Sequence, residues 1–147
     1  MKFQIKSPKT KDEFKKYYFL RWKILRKPFN KSLGSEKDEF ENQSFHLFIK
    51  NESLDIIAVG RLNFVNDKKD AHIRYMAVDH DFQKKGYGSE ILKKLEKFAS
   101  NNKVNNIYLH SRESALVFYE KNGYKIEKKS HLLFNEIQHW FMKKKLI

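Results

Sequence analysis

The chain contains no cysteine, two prolines, five glycines and no long apolar run in its 147 residues. Without cysteine there is no disulfide framework, no Cys-ligated zinc or iron–sulfur site and no cysteine nucleophile, so covalent catalysis would need another residue. No apolar stretch approaches the roughly 18–20 residues of a membrane-spanning helix. The opening Met1-Lys2-Phe3-Gln4-Ile5-Lys6 lacks the apolar segment of a secretory signal. A soluble protein of the cytoplasm, with no membrane partner, is the expectation. The scarcity of proline and glycine, with no repeat or linker-like block, favours one continuous domain over residues 1–147.

What is present is charge and aromatic bulk. Thirteen Phe and seven Tyr within a 40% hydrophobic composition supply enough material for a core, which disfavours a disordered chain. The formal charge of +13 asks for a phosphate-rich partner, but only five basic residues are arginine: Arg21, Arg26, Arg61, Arg74 and Arg112. Arginine is the residue of planar phosphate and base recognition, whereas dispersed lysines often form a solvated surface. No motif for specific nucleic-acid recognition is present. A basic nucleic-acid-binding module is the competing reading, and it predicts binding that weakens steeply with salt.

Thr10-Lys11-Asp12-Glu13 has the form of a capping box and precedes Phe14, Tyr17, Tyr18, Trp22 and Leu25, so an amphipathic helix ending near Pro28 is expected. Phe14, Tyr18, Trp22 and Leu25 read as its core face. A polar connection to about Asn42 carries Gly34 and the acidic run Glu36, Asp38, Glu39 and Glu41, which suits either solubility or attraction of a cationic amine. Strands are expected at 45–49, 56–65 and 72–78 from their β-branched and aromatic content. Helical spacing of Ile91, Leu92, Leu95, Phe98 and Ala99 follows Gly86-Tyr87-Gly88. A strand at 104–110, a short helix at 114–121 stopped by Gly123, and closing strands at 124–127 and 137–142 complete the reading, with Lys143-Lys144-Lys145 as a solvated tail. Strand, glycine turn, helix and strand in succession favour a parallel pair inside a mixed sheet, an α/β (α+β) architecture.

Gln83-Lys84-Lys85-Gly86-Tyr87-Gly88-Ser89 lies where a loop enters a helix, and there the backbone N–H groups lack carbonyl partners and the helix dipole favours an anion. The Walker loop needs Lys-Ser or Lys-Thr after its last glycine, and the dinucleotide fingerprint needs a small residue where Ile91 stands. Neither fits. The segment Gln83 to Gly88 instead resembles the Q/R-x-x-G-x-G/A signature of the GNAT superfamily of N-acetyltransferases at every defined position. Tyr75-Met76-Ala77-Val78-Asp79 is similar to that family's preceding strand. Ala115-Leu116-Val117-Phe118-Tyr119-Glu120-Lys121-Asn122-Gly123-Tyr124 is similar to its second motif, one helix and one strand downstream. The stretch Leu20–Pro28 resembles a bacterial branch of small members.

The resemblance implies a GNAT fold, a central mixed sheet whose splayed parallel strands admit acetyl-CoA as cosubstrate, flanked by helices. Backbone groups of Met76, Ala77 and Val78 would pair with the pantetheine arm, and Gln83, Lys84, Lys85, Gly86, Tyr87, Gly88 and Ser89 would hold the pyrophosphate; Lys84, Lys85 and Lys121 are candidates for the 3′-phosphate. Tyr119 is implied as general acid. His72 stands eleven positions before Gln83, where histone-acetylating members carry a catalytic Glu, and is the expected base; Glu36, His139 or water alone are the alternatives. Arg112 stands where many members have Asn. No metal site is expected. The implied activity is transfer of acetyl from acetyl-CoA to the amine of a small molecule or peptide, and homodimers are common in the family. A member that binds acyl-CoA without chemistry is the other alternative.

Overall fold

The computed structural model describes residues 2–146. In chain order the elements are β1 (Phe3–Lys6), α1 (Lys11–Leu25), β2 (Phe45–Asn51), β3 (Ile56–Val65), β4 (Asp70–Val78), α2 (Tyr87–Asn101), β5 (Asn106–Arg112), α3 (Leu116–Lys121), β6 (Lys125–Leu133) and β7 (Ile137–Lys145). The seven strands form one mixed sheet in the order β1-β2-β3-β4-β5-β7-β6. By contact density the chain falls into two compact units. One comprises the residues up to Asn63 with Tyr75–Lys97, and the other comprises Phe64–Arg74 with the residues from Phe98 onward.

In the first unit, α1 starts where the capping box places it. The Glu13 N–H donates to Thr10 Oγ1 at 3.1 Å, and Glu13 Oε1 accepts from the Thr10 N–H at 3.3 Å, which satisfies two of the helix's orphan donors. The helix ends at Leu25, and Pro28 lies in the short 3₁₀ turn that follows. Its buried residues are Tyr17, Leu20 and Arg21. Tyr17 and Leu20 join Phe48, Val59 and Ala77 in a core cluster, against which the expected face residues Phe14, Tyr18 and Leu25 pack while only partly buried. From α2, Ile91, Leu92 and Leu95 are fully buried. Each such aliphatic side chain contributes about 1.5–3 kcal/mol by leaving water. Ile91 and Leu95 approach the sheet closely because β3 carries Gly60 beneath them.

The second unit contains the parallel ladder, Asp70↔Asn106, Ala71↔Ile107 and His72↔Tyr108. Strand β5 pairs antiparallel with β7 from Asn106↔Lys145 to Arg112↔His139, and β7 pairs with β6. Ile107, Leu109, Met142 and Tyr124 are buried here. Gly123, at φ +92°, stops α3 with its N–H on the Glu120 carbonyl at 3.1 Å.

Two expectations are corrected, and one strand was missed. Lys143–Lys145 is no solvated tail: it is the end of β7, paired with Tyr108, Ile107 and Asn106, and Lys144 Nζ donates to the Asn122 carbonyl at 2.9 Å. The strand expected at 124–127 is β6 and runs to Leu133; its residues are almost all exposed, so no alternation marks it. Strand β1 was not foreseen, being four residues long with one exposed and three half-buried positions.

Candidate active site

Strand β4 leads into the glycine turn through a short 3₁₀ turn at His80–Phe82. Past Val78, the Asp79 N–H donates to the Ile57 carbonyl at 2.8 Å, and the Asp79 carboxylate pairs with Lys23 Nζ at 3.1 Å, so the strand's exit is anchored to β3 and α1. Gln83 Nε2 donates to the Val78 carbonyl at 2.9 Å. The first residue of the signature thus locks the loop to the last residue of the strand. Lys84 and Gly86 both take left-handed conformations, at φ +62° and +91°. A Cβ on Gly86 would meet nothing within 4 Å, so it is the backbone conformation, and not crowding, that asks for glycine there. The first helical bond of α2 runs from the Glu90 N–H to the Gly86 carbonyl at 3.1 Å. The fifteen-residue helix therefore begins on an exposed, side-chain-free corner flanked by exposed Lys84 and Lys85. That corner, with helix-terminal N–H groups and two ammonium groups, suits a pyrophosphate.

Met76, Ala77 and Val78, the other implied cofactor residues, lie on the last three positions of β4 in the same unit. Just before them Tyr75 sits at φ +60°, a conformation that side chains rarely adopt.

Tyr119 and His72 lie in the second unit. Tyr119 is buried on α3, edge-on to Tyr124 at 5.8 Å between centroids. Burial raises its phenol pKa above the ordinary 10.0, opposed by the charge of Arg112. Tyr119 therefore stays protonated at neutral pH, as a proton donor must. His72 stacks on Tyr108 at 4.8 Å and meets His110 edge-on at 5.8 Å. His110 contacts His131 at 5.4 Å, and His131 stacks on His139 at 4.4 Å. Four imidazoles from β4, β5, β6 and β7 thus form a chain of ring contacts, with Ser130 Oγ 2.6 Å from His110 Nδ1 and 3.1 Å from His131 Nδ1. Burial, then the charges of His131 and Arg112, push His139 down to about 4, and its Nδ1 lies 3.0 Å from the Ile137 carbonyl. His110 and His131 are lowered too, mainly by burial. Of the alternative bases, Glu36 is buried with its carboxylate on the Gly34 N–H at 2.7 Å, a loop-bracing contact.

The acetyltransferase (GNAT) domain family matches residues 21–146. This chain belongs to the GNAT acetyltransferase family. A relative named uncharacterized N-acetyltransferase YjcF, from Bacillus subtilis (strain 168), is 28% identical over 138 residues, 92% of this chain and 95% of its own length. Among solved structures, an acetyltransferase of the GNAT family from Staphylococcus aureus superposes with a TM-score of 0.82 at 18% identity, covering 99% of this chain and 100% of that one. A GNAT family acetyltransferase from Elizabethkingia anophelis, solved with acetyl-CoA bound, gives 0.78 at 15% identity over 98% of both chains. The GNAT fold expected from the two motifs is the fold observed.

Two groups of this GNAT protein carried no sequence signal. The histidine chain needs the register of four strands to assemble, since its members stand 38, 21 and 8 residues apart in sequence. The second group is a buried ion cluster. Arg21 and Arg61, both fully buried, share the Glu41 carboxylate at 2.9 Å, and Arg61 also meets Asp38 Oδ1 at 2.6 Å. Arg21 Nη2 donates to Tyr17 Oη at 2.8 Å, and that oxygen lies 2.8 Å from His46 Nδ1. The acidic run therefore does more than solubilise the surface: two of its carboxylates neutralise internal arginines.

Proposed function

We propose that this protein is an N-acetyltransferase that takes the acetyl group of acetyl-CoA and passes it directly to a primary amine of a small-molecule or peptide acceptor. The observation that carries this reading is the Gln83–Ser89 turn, which is tied by Gln83 to the end of β4 and enters the first turn of α2 with glycine in the left-handed position and two exposed lysines beside it. Bound acetyl-CoA supplies a thioester carbonyl, an acyl group already activated toward an amine. Backbone groups of Met76, Ala77 and Val78 hold its pantetheine arm by strand-like pairing. The amides of Lys84 to Ser89 hold its pyrophosphate, with Gln83 fixing the loop to the strand.

Tyr119 delivers its phenolic proton to the departing sulfur; its raised pKa keeps that proton in place until the thiolate demands it. His72 takes the proton from the attacking nitrogen, since an amine attacks only when neutral. Support for these two roles comes from the family's motif around Tyr119 and from the place of His72 on β4.

The test is Tyr119→Phe. Stabilisation of the fold by acetyl-CoA should remain at the wild-type level, about 2.7 kcal/mol at a hundredfold excess over Kd. Turnover, followed by thiol release, should fall by roughly 10²-fold or more. Unchanged turnover would remove Tyr119 from the reaction, and the absence of any acetyl-CoA-dependent shift in the wild type would remove the cosubstrate.

A further inference from the structure

Tyr75 is the anomaly of β4. It is an aromatic residue at φ +60° inside a strand, only 7% exposed, and it directly precedes Met76, Ala77 and Val78. A bulky residue inside a buried strand, unlike one in an exposed turn, holds that conformation only when its surroundings over-determine it. The surroundings are specific. The guanidinium carbon of Arg21 lies 4.2 Å from the Tyr75 ring centroid, that of Arg61 4.9 Å and that of Arg26 5.7 Å. Cations at these distances from an aromatic ring are attracted by its quadrupole, most strongly where water is excluded.

None of the three arginines is left to find its own place. Glu41 bridges Arg21 and Arg61 with bonds of 2.9 Å, Asp38 holds Arg61 at 2.6 Å, and Arg26 Nε donates to the Ser35 carbonyl at 3.0 Å. The loop between α1 and β2 thus fixes three cations, and the cations surround one ring. Solubility needs none of this, because Arg21 and Arg61 are 0% exposed. A packing role alone would be met by apolar residues of the same volume, often at no loss of stability.

We infer that Arg21, Arg61 and Glu41 are positioning residues that clamp the Tyr75 ring, hold residue 75 in its left-handed conformation and so set the backbone of Met76–Val78 for the pantetheine arm. The inference rests on the reading of β4 as the acetyl-CoA strand. The clamp has a distinctive signature: the ring matters because it enforces a backbone angle, and glycine can adopt that angle unaided.

The experiment measures acetyl-CoA affinity by calorimetry for wild type and for Tyr75→Phe, Tyr75→Leu and Tyr75→Gly, with amide hydrogen exchange on the unliganded proteins. Tyr75→Phe keeps the ring and should bind within about twofold of wild type. Tyr75→Leu loses the ring but keeps the steric penalty, and should bind at least about tenfold more weakly, a change of ~1.4 kcal/mol. Its exchange should quicken at Met76–Val78 while the β5–β7 ladder is unchanged. Tyr75→Gly, though it leaves the larger cavity, should recover most of the affinity lost by Tyr75→Leu. Glycine binding as weakly as leucine, or more weakly, means that the ring only fills space, and the clamp is refuted. Arg61→Met should reproduce Tyr75→Leu and add nothing in the Tyr75→Leu background; additive losses would also refute it. Should Arg61→Met fail to fold, the leucine and glycine pair still decides. If wild type does not bind acetyl-CoA, the functional reading falls, and position-specific exchange in Tyr75→Leu, relieved in Tyr75→Gly, still decides whether the ring sets the strand.

Discussion

Gly60 leaves no room for a single added methyl. It lies in β3 opposite Leu47, and its carbonyl accepts a hydrogen bond from Tyr17 Oη at 3.2 Å. A Cβ placed there would stand 2.6 Å from Ile91 Cγ2, 2.7 Å from Met76 Sδ and 3.2 Å from Leu95 Cδ1. Comfortable carbon contacts begin near 3.5 Å, so Gly60→Ala must displace the α2 side chains and Met76 by about 1 Å. Overpacking of this kind costs about 1–3 kcal/mol, offset by about 0.4–1 kcal/mol from the stiffer unfolded chain. A net loss of about 1–2 kcal/mol follows, or about 2–8 °C in Tm for a chain of this size. Urea unfolding of wild type, Gly60→Ala, Ile91→Ala and the double variant measures it. Ile91→Ala alone should cost about 2–5 kcal/mol. In the double variant the new methyl occupies part of the space vacated by Ile91, so the two costs should fall short of additivity by about 1 kcal/mol or more. Gly60→Ala at wild-type stability, or additivity within about 0.5 kcal/mol, would refute the collision.

The histidines and Glu13 make opposite parts of the acid limb visible. His139 is held neutral by burial, down to about 4 against an ordinary 6.5, so on acidification the unfolded chain takes up its proton first. Its contribution is fully present above about pH 6.5 and is lost progressively toward 4, up to about 3 kcal/mol. His139→Phe should flatten the urea midpoint over that window; parallel curves for wild type and variant would contradict the depressed pKa. Glu13 titrates lower, brought to about 2 chiefly by its hydrogen bond from Lys6 and then by the Lys9 N–H. Its support of α1 is present above about 4.5 and fades as pH falls through 2, so Glu13→Gln should abolish the acid-induced rise in hydrogen exchange in the first turn of α1 between those limits. A rise in the variant equal to wild type would count against it.

The capping box at Thr10–Glu13, the strands at 45–49 and 56–65 and the turn at Gly86 were readable because each is a local pattern: a hydroxyl three residues before a carboxylate, a β-branched run, a residue free of Cβ at φ +91°. The site's loop and its helix were legible on the same terms. Arg21 was not, because it stands four residues from Tyr17 on the helix face and reads as polar until Glu41, twenty residues away, supplies its counter-charge. Tyr75 was invisible for a different reason. Its left-handed angle is imposed by tertiary neighbours and is not preferred by the residue type. Strand β6 was legible only at its start, and its run on to Leu133 escaped because its exposed Lys125, Lys128 and Lys129 leave no buried face to alternate with.

The two compact units are interleaved along the chain: each is assembled from two separate stretches, exchanged first near residue 64, again at Tyr75 and finally near Phe98. During synthesis neither can be finished when its first stretch leaves the ribosome. The first unit waits for α2, and the second waits for β7, whose Lys145 pairs with Asn106, 39 residues earlier in the chain. Long-range closures of this kind slow folding. No single cut in the gene delivers either unit whole, since each draws on two separate stretches of chain.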